Sequence, residues 1–118
     1  MKNNPLAEKS YLFALEIVKT SRFLTDEKRE FILSKQLLRA GTSIGANIAE
    51  ANGAISTADF SSKISIAYKE SLETKYWLRL LQDSFYLEKS IAVDLLERAD
   101  ELSRIMFSIL KSTRINKG

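Results

Sequence analysis

The sequence predicts an all-α fold, an antiparallel up-down-up-down four-helix bundle, and three observations carry that expectation. Only 4 glycines and 1 proline interrupt 118 residues, so the chain is poor in the residues that punctuate turns. Apolar residues recur every three or four positions in successive segments, the period of a helix with one buried face, and no segment alternates as a half-buried strand would. The links between segments are short, which favours antiparallel neighbours. A hydrophobic fraction of 45% beside 28% charged residues is that of a soluble globular chain, and the length fits one domain over residues 1–118.

Each element follows from local chemistry. Asn4 and Pro5 are a good N-cap and first helical residue, and the apolar run from Leu6 to Val18 predicts a first helix ending near Arg22. A break is predicted from Phe23 to Asp26, where Thr25 or Asp26 would cap a second helix. In that helix Leu33, Leu37, Ala40, Ile44 and Ile48 keep helical spacing to about Ala51. Asn52 to Thr57 carries turn-forming residues and a cap at Ser56 or Thr57. The third helix is predicted to bury Phe60, Ile64, Ala67, Ser71, Leu78, Leu81 and Phe85. Asp83 to Glu88 forms the last reversal, before a fourth helix with Ile91, Leu95, Leu102, Met106 and Ile109 on its inner face. The polar ends MKNN and RINKG are expected to fray.

Composition excludes much chemistry. With no histidine and no cysteine, there can be no disulfide, thiolate nucleophile, histidine-based triad or zinc site with the usual ligands. Glu70 and Glu73 have the separation of a di-iron Glu-x-x-His motif but lack its histidine. A magnesium site made of Glu50, Glu70 and Glu73 is conceivable, yet helix carboxylates are more often solvated or paired with Lys or Arg. Gly41 and Gly45 lie inside a helix without a Gly-Lys-Ser or Gly-Lys-Thr element, so no phosphate loop is implied. Ser10, Ser43 and Ser71 have no histidine base. No catalytic residue, metal or cofactor is therefore expected, and the chain is not expected to be an enzyme. The longest uncharged run, Ala40 to Ala49, is half of the roughly 20 residues a membrane span requires. The N-terminus lacks the pattern of a secretory signal, so a cytoplasmic protein is expected.

The apolar surface exceeds what one core covers. Between Tyr11 and Val18 the only charge is Glu16, so apolar residues wrap almost around the first helix. In the second, Phe31, Leu38, Thr42, Gly45 and Ala49 make a small-to-apolar stripe opposite the core positions. Gly41 and Gly45 each cost about 1 kcal/mol relative to Ala inside a helix, which points to close backbone approach. Tyr76, Trp77 and Leu80 on the third helix and Leu96, Phe107 and Leu110 on the fourth add to the excess. A homo-oligomer is expected.

Two polar constellations stand out. Arg39, Ser43, Asn47 and Glu50, extended by Gln36, line one flank of the second helix. A structural hydrogen-bond seam is favoured there over a binding role, because buried polar groups must be paired. The second constellation is basic. The formal charge is +3, and an up-down-up-down bundle brings Lys2 and Lys9 towards Arg104, Lys111, Arg114 and Lys117, with no acidic residue from Leu102 onward. These six are the candidate nucleic-acid-binding residues; the competing reading is a helix C-terminus whose cations complement the macrodipole.

The string QLLRAGTSIGANIAEA, Gln36 to Ala51, resembles the signature of the four-helix-bundle proteins encoded in intervening sequences of bacterial 23S ribosomal RNA genes. AYKESLETKYWLRLL, Ala67 to Leu81, resembles the third-helix segment of the same family. Arg39, Ser43, Ile44, Asn47, Ile48, Ala49 and Glu50 fall on motif positions, while Ala51 departs from the glycine common after that glutamate. The family is also similar to accessory proteins of diversity-generating retroelements, ring-shaped homopentamers that bind a reverse transcriptase and nucleic acid. The resemblance thus implies a homo-oligomeric ring, a pentamer, whose partners are itself, RNA or DNA, and a reverse transcriptase. The function expected is a non-enzymatic oligomeric module binding nucleic acid or ribonucleoprotein. The alternative is a structural protein-interaction scaffold, with an enzyme acting on RNA further behind.

Overall fold

The computed structural model describes residues 4–117, with side chains through residue 113. Four helices follow one another: α1 (Pro5–Asp26), α2 (Leu33–Asn52), α3 (Thr57–Asp83) and α4 (Lys89–Lys117). Among the described residues there is no strand. The chain extends over 48 × 23 × 21 Å, so its long axis is close to that of its longest helix, about 1.5 Å per residue along α4.

Helix starts follow the predicted caps in two cases. Asn4 Oδ1 accepts from the Ala7 N–H at 3.0 Å with Pro5 as the first helical residue, and Ser56 Oγ accepts from the Asp59 N–H at 3.0 Å. The first reversal differs from expectation. α1 runs on to Asp26 instead of ending near Arg22, and α2 begins only at Leu33. Thr25 turns its hydroxyl back to the Arg22 carbonyl, and Glu30 caps α2 in its place, accepting from the N–H groups of Ile32 and Ser34 at 3.3 and 2.8 Å.

One stripe of each helix builds the core. Phe13, Ile17 and Leu24 of α1 meet Leu37, Ala40, Ile44 and Ile48 of α2; Ile64, Ala67, Leu78 and Leu81 of α3 and Ala92, Leu95, Ala99, Leu102 and Met106 of α4 complete it. Helix α2 packs on α1 and α3, α3 packs on α4, and α1 meets α4 more sparingly. The fully buried polar residues are small and hydrogen-bonded: Ser71 and Ser103 lie 2.7 Å apart between α3 and α4, and Ser103 also donates to the Ala99 carbonyl; the half-buried Ser61 keeps a buried hydroxyl without a partner.

Phe85 is a correction to the predicted core. It is 89% exposed and adopts φ 68° just beyond the end of α3, while Leu87 takes the buried place. The N–H groups of Tyr86 and Leu87 both reach the Leu81 carbonyl, which folds the chain back and turns Phe85 outward. Ile91, also expected inside, is 43% exposed.

The glycines of α2 face α1 of the same chain. A β-carbon at Gly41 would lie 2.8 Å from Ile17, and one at Gly45 would lie 3.4 Å from the Ser10 carbonyl oxygen. Part of the stripe expected to point away from the core is therefore occupied internally, and Leu38 also packs against the core. Among the apolar residues that stay open are Tyr11, Leu12 and Leu15 on α1, Phe31 before α2, Leu72 and Tyr76 on α3, and Phe107 on α4.

Candidate functional site

The basic constellation is built mainly on α4. Arg104 and Lys111 are exposed on that helix, seven residues apart and so nearly in line, about 10 Å along the axis. Arg114 and Lys117 continue the helix, with side chains outside the described residues, and Lys2 lies outside the described residues altogether. Lys9 joins from α1, where its Nζ lies 3.1 Å from Glu101 Oε2. Lys9 thus stands opposite Glu101, whereas Lys111 sits ten residues further along α4, about 15 Å away along the axis. The structure brings Lys9 and Arg104 into one region and sets Lys111 beyond it.

Both nearby cations are paired. Asp100 receives Lys75 Nζ on Oδ1 at 3.0 Å and Arg104 Nε at 3.1 Å on Oδ2. The hydrogen bond from Lys75 and its charge, with a lesser contribution from the charge of Arg104, hold the Asp100 carboxyl below the usual range against the opposing effect of desolvation. Asp100, Glu101 and Lys75 are the residues that sequence reasoning missed. The Arg104 and Asp100 pair was readable from its i,i+4 spacing, but Lys75 and Glu101 meet their partners only across helices, which spacing within a segment does not reveal.

The polar flank of α2 is reached from α3. Arg39 Nη1 lies 3.3 Å from both carboxylate oxygens of Glu70, and Nη2 pairs with Glu73. Glu73 also accepts from Trp77 Nε1 at 2.9 Å. That indole bond, followed by Arg39, lowers the Glu73 pKa against desolvation, which raises it. At the far end of the flank Lys63 reaches Glu50 at 2.8 Å. Asn47 bonds only locally, donating to the Ser43 carbonyl at 2.8 Å. Of the four flank residues Asn47 and Ser43 bond to each other, but no one buried seam joins all four: Arg39 keeps 47% of its side chain exposed, and Arg39 and Glu50 bond to α3 instead. Glu70 and Glu73 share Arg39 while Glu50 pairs with Lys63, and among the described residues no three carboxylates converge on one point. Among the described residues no helix is long and apolar enough to cross a membrane.

Fold and surface together define a class, a four-helix all-α protein whose neighbouring helices are tied by charge pairs. Residues 2–108 match the 23S rRNA-intervening sequence protein family, and the chain belongs to that family. A crystal structure of a protein of unknown function from the S23 ribosomal protein family of Bacteroides thetaiotaomicron has the same fold, with a TM-score of 0.89 and 45% sequence identity over 90% of this chain and 98% of that one. Comparison with curated proteins gave no match.

Proposed function

We propose that this chain is a non-enzymatic, cytoplasmic, oligomeric module that binds nucleic acid or ribonucleoprotein through the last turns of α4. The observation that carries the reading is the charge run itself. From Leu102 to Gly118 the chain has Arg104, Lys111, Arg114 and Lys117 and no acidic residue, a cationic helix end suited to phosphate and lacking any base-reading element. Such contacts are weak singly and sum when copies assemble.

Assembly belongs to the same proposal. The chain is a single domain with up-down-up-down topology, supported by contacts whose numbers rise along one helix as they fall along the next: Gly45 with Ser10 and Gly41 with Ile17, Glu50 with Lys63 and Arg39 with Glu73, Ser71 with Ser103 and Lys75 with Asp100. Copies pack through Tyr11, Leu12 and Leu15, exposed on α1, into a homo-oligomeric ring. The pentameric number comes from the family resemblance, as does a reverse transcriptase among the partners.

The second reading, an interaction scaffold without nucleic acid, is favoured by one observation: Lys9 and Arg104 are already paired with Glu101 and Asp100. Fluorescence anisotropy at low salt separates the two, using the purified chain with labelled duplex DNA and labelled single-stranded RNA of mixed sequence. Binding of either probe, with little dependence on its sequence, is expected; no binding of either leaves the scaffold. Light scattering at micromolar concentration that returned a monomer would remove the ring.

A further inference from the structure

The ion pairs of α4 assign different roles to the two paired cations of the basic surface. We propose that Arg104 is a phosphate-contacting residue and that Lys9 is not, Lys9 serving as a strap that holds α1 against α4. The assignment rests on the nucleic-acid reading above and deepens it.

Asp100 is shared by two cations, one on each carboxylate oxygen. Lys75 comes from α3 and is mostly covered, with 25% of its side chain exposed, whereas Arg104 comes from the next turn of the same helix and is 73% exposed. Arg104 also approaches through Nε, and its two Nη groups make no ion pair among the described residues. A guanidinium presents its donors as a planar fork that fits phosphate oxygens two at a time. Arg104 can therefore bind a phosphate through the Nη edge without leaving Asp100. If it does swing away, Asp100 retains Lys75 and no charge is orphaned. Its alignment with Lys111 adds a second cation on the same stripe of α4.

Lys9 has the opposite situation. Its single Nζ is committed to Glu101, and Glu101 has no other ion-pair partner among the described residues. Of the helices that pack on one another, the pair joins the two in sparsest contact, and Leu12, Phe13 and Leu102 line the slot beside it. Turning Lys9 towards a phosphate would leave Glu101 unpaired beside the incoming negative charge and cut that cross-link.

Salt titration of binding tests the assignment, with the full chain, labelled duplex DNA and labelled single-stranded RNA as probes, and Arg104→Gln and Lys9→Gln as variants. For Arg104→Gln the slope of log affinity against log salt should fall by about 0.9 on the duplex and about 0.7 on the single strand, one phosphate contact in each case, with the melting temperature nearly unchanged. For Lys9→Gln the slope should match the parent while the melting temperature falls. Glu101→Gln breaks the same strap while keeping the cation, and it should lower the melting temperature and leave the slope alone. A parental slope in Arg104→Gln, or a reduced slope in Lys9→Gln, overturns the assignment while the nucleic-acid reading stands. A parent chain that binds neither probe at low salt overturns both.

Discussion

Ile17 fills the space that a side chain at position 41 would need: a β-carbon on Gly41 would sit 2.8 Å from its Cγ1 and 2.9 Å from its Cγ2. Both atoms are close to the Ile17 backbone, and Ile17 is fully buried, so neither can swing clear. Gly41→Ala gains about 1 kcal/mol of helix propensity and loses about 1 to 3 kcal/mol to overpacking. A net loss of stability is expected, read as a lower melting temperature. Gly45→Ala meets the Ser10 carbonyl oxygen only at 3.4 Å and should be neutral to stabilising by up to about 1 kcal/mol. Equal responses of the two variants would contradict this packing.

Arg39 and Asn47 occupy the same flank and should behave differently. Replacing Arg39 by Gln leaves Glu70 and Glu73 facing each other without their shared cation. For a half-exposed pair the loss should be about 0.5 to 1 kcal/mol in low salt and shrink as salt is added. Lys at this position should recover only part of it, because it lacks the fork that spans two carboxylates. Asn47→Ala removes a bond to the carbonyl one turn back and installs a better helix former, so chemical denaturation should find it within about 0.5 kcal/mol of the parent. A loss above that for Asn47→Ala would restore the buried seam expected from sequence.

Acid should weaken the fold through Glu73 and Asp100. Both have pKa values below their ordinary ones, Glu73 through the Trp77 indole and then Arg39, Asp100 through Lys75 and then Arg104. For a depressed carboxylate the stabilisation is complete above the unfolded pKa, near 4, and is lost as pH falls through the folded value. The melting temperature should therefore drop on acidification below about pH 4.5, and the drop should be shallower in Glu73→Gln and in Asp100→Asn. Trp77, the chain's one tryptophan, offers a local check, since its emission should titrate with Glu73 and lose that transition in Glu73→Gln.

The regular parts of the fold were legible because each rests on local chemistry. Asn4 before Pro5, and Ser56 after Asn52 and Gly53, announce their helix starts in the residues themselves. The first reversal was misplaced because two groups compete for it. Thr25 has the chemistry of a cap but bonds backward to Arg22, and Glu30, whose carboxylate reaches forward to Ser34, is not a residue type that marks a start. The spacing of Phe85 continues the α3 stripe and so predicts a buried place, and no glycine marks the left-handed turn that sends it out. At the candidate site the cations are visible as a run in sequence, and so is the i,i+4 pairing of Arg104 with Asp100, but the pairing of Lys9 with Glu101 and the share of Lys75 in Asp100 depend on which helices touch. The glycines of α2 point to close approach in the sequence, and α1 of the same chain supplies it, through the Ser10 backbone at Gly45 and the Ile17 side chain at Gly41.

Phosphate binding by the last turns of α4 is the proposal on which the function rests. It is tested most directly by comparing the salt dependence of nucleic-acid affinity in the parent and in a Lys111→Gln, Arg114→Gln, Lys117→Gln triple variant, both with the oligomeric state checked by light scattering. Three lost phosphate contacts predict a slope on duplex DNA shallower by about 2.7, with affinity reduced alike for every sequence tried. An unchanged slope in the triple variant, or no binding by the parent at low salt, would contradict the account.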